Sequence, residues 1–249
     1  MLRDGTNPEG IDPVPPLEWN SKADLTDVVL VNSAPSPPCA KLRYHLAYNS
    51  VPYSLMSPAA FKKGKSVEDY VKIPAIFVAG RQVNDSYVIT KHLARVLYGS
   101  KVDEVWDAKI TFGLQLAVEA EGFEDPRDYS VLVTFGGFPA FVGTLFWWAL
   151  PLKTFARNIR AKRAEKDGKF GALCPAKQYA SEFRAAVGAK PFFGGEALGY
   201  IDVSFYATLV MWETVPSVKL LLQEADLEAW WQRMKAAMPS RVNGDQGTH

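Results

Sequence analysis

Cysteine and histidine are scarce in this sequence, with two cysteines and three histidines among 249 residues. Cys39 and Cys174 lie far apart, with neither the spacing of a zinc site nor the density of a disulfide framework. An excess of one charge is also lacking, because 28 basic residues face 27 acidic ones and the formal net charge is +1. This balance argues against nucleic acid as a partner, and the cysteine content fits a reducing compartment.

A hydrophobic run long enough to cross a membrane is lacking as well. Residues 138–152 are apolar over about fifteen positions, short of the roughly twenty that a spanning helix needs. Five basic residues follow this stretch: Lys153, Arg157, Arg160, Lys162 and Arg163. Two interpretations stay open, a buried helix of the second domain, which we favour, and a helix in peripheral contact with an anionic membrane or a partner.

The two ends of the chain differ in composition from the rest. Residues 1–26 mix prolines with charges of both signs, which predicts an extended arm rather than a signal or transit peptide. A targeting peptide removed before Met1 stays open. Residues 241–249 are polar and predict a tail.

What the sequence does contain is a change of pattern near residue 100. The β-branched run "DVVLVN" predicts a strand, a helix follows, and "VPYSLMS" predicts a second strand parallel to the first. A strand over Ala75–Val78, a brief strand near Gln82–Val83 and a helix over Ser86–Leu97 complete a βαβ-ββα domain, residues 27–98. Helical patterns alone fill residues 102–240, and the predicted helices include Val102–Glu119 and Phe141–Glu165. The predicted fold class is therefore an α/β domain followed by an all-α domain.

The turn after the first predicted strand carries a candidate site. Ser36 is a natural N-cap, Pro37 takes the first helical position, and Cys39 falls in the first turn. A helix start presents free N–H groups and a partial positive charge to an anion such as a thiolate. The simpler alternative is that Ser36 only caps the helix and that Cys39 is a small core residue.

Two further turns share this character. Pro74 stands immediately before the third strand, where a cis bond is one way to accommodate it, and the backbone of Ile73 would then be able to pair with an extended peptide. Asp85 and Ser86 stand at the start of the helix that closes the domain. In the structural interpretation they only cap this helix. In the functional interpretation, the acid, the hydroxyl and the exposed amides bind both charges of an amino-acid end group.

Together these motifs resemble the thioredoxin-like domain of glutathione transferases: "PSPPCAKLR" after the first strand, "IPA" before the third, and "NDSYVI" at the closing helix. The late run "AAVGAKPFFGGEALGYIDVSFYATL" is similar to a helix start in that family's second domain, with Gly199 at the N-cap and Asp202 capping the first turn. The resemblance covers about residues 27–240. It implies a thioredoxin-like domain followed by an all-helical domain of the glutathione-transferase type.

Within that family the sequence is most similar to the membrane-associated prostaglandin E synthase 2 branch. That branch carries C-P-F-C at the helix start, whereas this chain carries S-P-P-C. The resemblance implies that Ser36 stabilises the sulfur of glutathione and that Cys39 is a fallback nucleophile. It also implies that Ile73 and Pro74 align the middle of the tripeptide and that Asp85 and Ser86 hold its γ-glutamyl end.

Two functions are compatible with this resemblance. The first is a glutathione-dependent transferase or isomerase that acts on a hydrophobic electrophile. The second is a non-catalytic, transferase-fold structural subunit of a mitochondrial membrane protein complex. The branch alone implies haem beside glutathione and a mitochondrial location; a cytoplasmic location and either a homodimer or a larger assembly stay open.

Overall fold

The computed structural model describes residues 19–34, 36–63, 65, 71–99, 103–122, 124–125, 127–128, 131, 158, 161, 174–239 and 242. The chain divides into two compact units, Met1–Asp103 with Ala237–His249, and Glu104–Ala236.

The first unit has the predicted alternation of strands and helices. Its elements in chain order are a short 3-10 helix Lys22–Asp24, β1 Val28–Val31, α1 Pro37–Tyr48, β2 Tyr53–Met56, α2 Pro58–Lys62, β3 Ala75–Val78, β4 Arg81–Asn84 and α3 Ser86–Tyr98. The short helix α2, capped by the Ser57 hydroxyl, was not predicted from the sequence. With only five residues, it is too short to show a helical period.

The four strands form one sheet in the order β2-β1-β3-β4. β1 and β2 are parallel, as predicted for strands joined by a crossover helix, and β1–β3 and β3–β4 are antiparallel. Alternate residues of each strand face opposite sides of the sheet. On one side, Leu30 and Ile76 join a core with residues of α1 and α3. On the other, Val31 and Ala75 pack with Phe61 of α2.

The end of the predicted arm is folded within the first unit. Trp19 is buried in the same core as Leu30, and its ring contacts His92 edge to face with centroids 6.0 Å apart. Arg95 Nη2 donates a hydrogen bond of 2.9 Å to the Trp19 carbonyl oxygen. Residues 19–26 therefore belong to the folded domain rather than to a free arm.

The second unit is helical in all of its described elements. These elements are α4 Glu104–Ala108, a π-helical segment Lys109–Leu114, α5 Gln115–Gly122, α6 Ala176–Val187, α7 Tyr200–Val210, α8 Pro216–Glu224 and α9 Glu228–Ala237. Its core is aromatic, with Phe183 stacked on Phe205 at a centroid distance of 3.8 Å and Trp230 packed edge to face on both rings.

The predicted cap of α7 is confirmed. Gly199 is the N-cap, and Asp202 Oδ2 accepts a hydrogen bond of 3.1 Å from the Gly199 N–H. Asp202 Oδ1 also accepts from the Phe193 N–H and from Trp230 Nε1, at 2.8 and 3.1 Å. One buried carboxylate therefore ties the helix start to the preceding turn and to α9.

The predicted helix over Phe141–Glu165 lies almost wholly outside the described residues, as do the apolar stretch 138–152, the basic residues after it and the terminal tail. In the part of the chain that the structure describes, no helix is long and apolar enough to cross a membrane.

Candidate functional site

The turn between β1 and α1 has the predicted layout. Ser36 is the N-cap with extended backbone, and prolines occupy the first helical positions. The Ser36 carbonyl oxygen accepts from the Ala40 N–H at 2.9 Å, and the Ser36 N–H donates to the Ser33 carbonyl oxygen at 3.0 Å. Its side chain makes no capping hydrogen bond; the half-buried hydroxyl instead interacts with the Cys39 thiol. The hydroxyl is therefore not used to cap the helix.

Cys39 is fully buried, and its Sγ lies 3.8 Å from the Val31 carbonyl oxygen, to which the thiol donates. Burial raises the pKa of this thiol above its usual value of 9.0. Hydrogen bonds to the Ser36 hydroxyl and the Ser33 backbone, and the charge of Arg43, oppose that rise only in part. The thiol is therefore protonated at neutral pH, which is unfavourable for a nucleophile.

The second turn of the predicted site precedes β3. The Ile73–Pro74 peptide bond is cis. Pro74 is buried, and half-buried Ile73 packs against the cluster around Val31 and Phe61. Ala75 follows directly as the first residue of β3.

The third turn precedes α3, a helix of 13 residues. Asp85 is its N-cap, and Asp85 Oδ1 accepts a hydrogen bond of 2.8 Å from the Tyr87 N–H. Asp85 adopts φ 72, a value that residues other than Gly, Asn and Asp rarely reach. Asp85 and Ser86 are each only 9% exposed. The acid and the hydroxyl are thus held at a helix start, where exposed amides bind anions.

The register of the sheet brings the three turns to one edge. Val31, at the end of β1, pairs with Ala75, and Ala75 pairs with Asn84 at the end of β4. Neighbouring strands lie about 4.8 Å apart, so β1 and β4 are about 10 Å apart across β3. An extended tripeptide spans about 10 Å. The predicted residues on these turns therefore lie within reach of one such ligand.

Sequence reasoning missed several polar residues that support this edge. Arg43 is fully buried in α1, and its Nη1 donates to Asn32 Oδ1 at 2.5 Å. Asn84, only 2% exposed, accepts through Oδ1 from Gln82 Nε2 at 2.6 Å, and Gln82 in turn accepts from Lys65 Nζ at 3.3 Å. The only signal in the sequence was the position of the two asparagines at strand ends: Asn32 directly follows β1, and Asn84 is the last residue of β4.

The described side chains do not present a ligand set for haem. His45 is buried with Nδ1 2.9 Å from the Tyr98 hydroxyl, His92 packs on Trp19, and the Cys39 thiol faces a carbonyl oxygen. No group of three or more metal-ligating side chains occurs among the described residues.

Comparison with solved structures places this geometry in a known fold. A glutathione S-transferase from Pseudomonas fluorescens superposes with a TM-score of 0.50 at 14% identity, covering 84% of this chain and 94% of that chain. The chain has the glutathione transferase fold. The predicted fold class, a thioredoxin-like domain followed by a helical domain, is thereby confirmed.

Other transferase structures align over similar lengths. The Tau class enzyme from mango, Mangifera indica, aligns with a TM-score of 0.44 at 19% identity over 86% of this chain and 93% of that one. A rice transferase in complex with glutathione aligns with a TM-score of 0.44 at 19% identity over 85% and 88%. No protein-family model and no curated protein matches the sequence.

Proposed function

We propose that the protein binds glutathione at the edge of the sheet formed by the ends of β1 and β4 and the start of β3, and that it is a glutathione-dependent transferase or isomerase. The observation that carries the proposal is the register Val31–Ala75–Asn84, because it aligns the turns that hold Ser36, Pro74 and Asp85.

Each turn has a role in this proposal. The Asp85 carboxylate and the start of α3 bind the γ-glutamyl end, whose ammonium and carboxylate need one acceptor and several donors. The backbone of Ile73, beside Pro74, pairs with the extended middle of the tripeptide. The Ser36 hydroxyl and the start of α1 receive the sulfur.

The reaction follows from the charge at sulfur. Glutathione thiol loses its proton to solvent, and the thiolate is stabilised by the Ser36 hydroxyl and by the partial positive charge at the start of α1, where Pro37 and Pro38 carry no N–H to donate. The sulfur then forms a bond to an electrophilic carbon while the leaving group departs with the electron pair. Of the two predicted catalytic residues, Ser36 suits this role better, since the Cys39 thiol is buried with a raised pKa.

The finer assignment rests on the sequence motif. We propose that the chain is a serine variant of the prostaglandin E synthase 2 branch, in which Ser36 replaces the reactive cysteine. A serine cannot carry out thiol redox chemistry, so the variant depends on the thiol of its ligand. The second substrate is then a hydrophobic electrophile.

Calorimetric titration with glutathione tests binding, and Asp85→Asn is the decisive variant. Asparagine keeps an oxygen that accepts from the Tyr87 N–H and tolerates positive φ, so only the charge is lost. Loss of a charge-assisted hydrogen bond is expected to weaken the binding of glutathione about tenfold to a hundredfold. Asp27→Asn is the matched control. Asp27 also has positive φ, but it is exposed and directly precedes β1, at the end of that strand away from the candidate site.

Ser36→Ala separates binding from chemistry. The variant is expected to bind S-methylglutathione as wild type does but to lose about a hundredfold in turnover of an activated aryl halide. No heat of binding from wild-type protein at millimolar glutathione would refute the proposed function. That result would favour the non-catalytic subunit, and native extraction would then be expected to yield the chain in a large complex.

A further inference from the structure

Three residues form a stripe along α1 that ends at the candidate site. Ser36, Cys39 and Arg43 are spaced i, i+3 and i+7, so they lie on the same face of the helix. This face meets the end of β1. The Cys39 thiol donates to the Val31 carbonyl oxygen, and Arg43 donates to the side chain of Asn32, the next residue.

Asn32 is held from two directions. Its backbone N–H donates to the carbonyl oxygen of Met56 on β2 at 3.0 Å, which fixes its backbone to the sheet. Its side-chain oxygen accepts from Arg43 Nη1 at 2.5 Å, which fixes its side chain to α1 two helical turns beyond Ser36. The Ser36 N–H then closes the turn onto the Ser33 carbonyl oxygen. The bond between Asn32 and Arg43 therefore spans the base of the turn that presents Ser36.

Packing alone does not explain an arginine at this position. Its side chain is fully buried, and a guanidinium stays charged in any environment inside a protein. Burying a cation carries a desolvation penalty that a leucine or methionine would avoid. The charge also acts locally, since it is one of the causes that oppose the rise of the Cys39 pKa. A positive charge two helical turns from Ser36 also favours a thiolate bound at the start of α1.

We propose that Arg43 is a positioning residue that holds the turn before α1 through Asn32 and whose buried charge favours the thiolate of glutathione bound at Ser36. This inference rests on the proposed function for its thiolate part. The turn-holding part concerns the ligand-free protein.

The size of the charge effect follows from helix geometry. Ser36 and Arg43 are seven residues apart, about 10 Å along the axis, and Arg side chains on a helix lean toward its N-terminus. At an effective dielectric constant of about 20, one charge at that distance is worth about one pKa unit. Arg43→Met is therefore expected to raise the pKa of bound glutathione thiol by about one unit. Arg43→Lys keeps the charge and is expected to restore most of that difference.

The ultraviolet absorbance of the thiolate, titrated against pH in the complex of each variant with glutathione, measures that pKa. Arg95→Met is the control, because it removes the same charge from an exposed position in the first unit, where Arg95 donates to a backbone carbonyl oxygen away from the turn. It is expected to leave the thiol pKa unchanged. An unchanged pKa in Arg43→Met overturns the thiolate part of the proposal.

Hydrogen exchange at the Ser36 amide tests the turn without ligand. Arg43→Met and Asn32→Ala are each expected to speed exchange about tenfold, and the double variant to be no faster than either single variant, because both remove the same bond. Additive effects, or wild-type exchange in both variants, overturn the turn-holding part. Asn32→Ala also serves if Arg43→Met fails to fold. If wild-type protein binds no glutathione, the proposed function and the thiolate part fail together, while the amide measurement still decides the other part.

Discussion

The histidine buried in α1 makes a sharp prediction about pH. His45 is fully buried, its Nδ1 lies 2.9 Å from the Tyr98 hydroxyl, and the two rings meet edge to face. Burial holds the pKa of His45 well below 6.5, and the charge of Lys41 one turn earlier lowers it further. The folded protein therefore keeps His45 neutral at a pH where the unfolded chain protonates it.

The sign and size of the effect follow from linkage. Between the lowered pKa of the folded state and 6.5, the unfolded state binds more protons, so the free energy of unfolding rises with pH. The contribution of His45 is complete above 6.5 and is lost as pH falls below it. From about pH 7 to about pH 5.5, protonation of the unfolded imidazole alone removes about 1.3 kcal/mol of stability.

Urea denaturation at several pH values, for wild-type protein and His45→Gln, measures this loss. Glutamine is neutral at every pH and polar enough to meet the Tyr98 hydroxyl, so the variant is expected to lose about 1.3 kcal/mol less than wild type over the same range. His92→Gln is the control. The pKa of His92 is also lowered, but His92 is only half-buried, so this variant is expected to change the pH dependence of stability less than His45→Gln does. Parallel pH dependences for wild type and His45→Gln would refute the reasoning, since His45 would then titrate alike in both states.

Three other predictions test the packing and the thiols. Gly113→Ala is expected to destabilise the second unit by about 1–3 kcal/mol, because the new Cβ would lie 2.5 Å from Cζ of the buried Tyr179 ring; Tyr179→Leu in the same chain should recover part of the loss on thermal unfolding. Asp202→Asn is expected to cost about 1–3 kcal/mol in urea, since a single amide oxygen replaces a carboxylate that accepts from two backbone N–H groups and an indole; unchanged stability would show that these bonds are replaceable. Iodoacetamide is expected to label half-buried Cys174 well before Cys39 in native protein, and rapid labelling of Cys39 would contradict its burial.

Much of the first unit could be predicted from local sequence because cap residues and prolines mark where its elements begin and end. The strand Ala75–Val78 has the predicted bounds, and α1 begins after Ser36 as the serine-proline pair indicates. The second unit was harder. Residues 109–114 form a π-helix inside a stretch predicted as one ordinary helix, and nothing in the apolar spacing distinguishes the two.

The site divides in the same way. Ser36, Pro74 and Asp85 stand at turns, where caps and prolines are visible in the sequence, and the register of the sheet then aligns them. Arg43 and Asn32 were missed because their bond joins residues eleven apart on different elements. An arginine within a predicted helix is normally assigned to a solvated face. Only the structure shows that this one is buried.

The two faces of α1 explain why a helix with so many polar residues is buried in the first unit. Lys41 and His45 are four residues apart and share one face, where His45 meets Tyr98 of α3. Ser36, Cys39 and Arg43 share another face, where the contacts are with the end of β1. Local rules favour apolar residues at such positions, and proteins depart from them chiefly at functional sites. The face toward α3 has a structural reason in its ring contact and hydrogen bond. On the face toward β1, the bond from Arg43 to Asn32 holds the turn before α1, and the charge of Arg43 adds the role toward a bound thiolate that we propose for it.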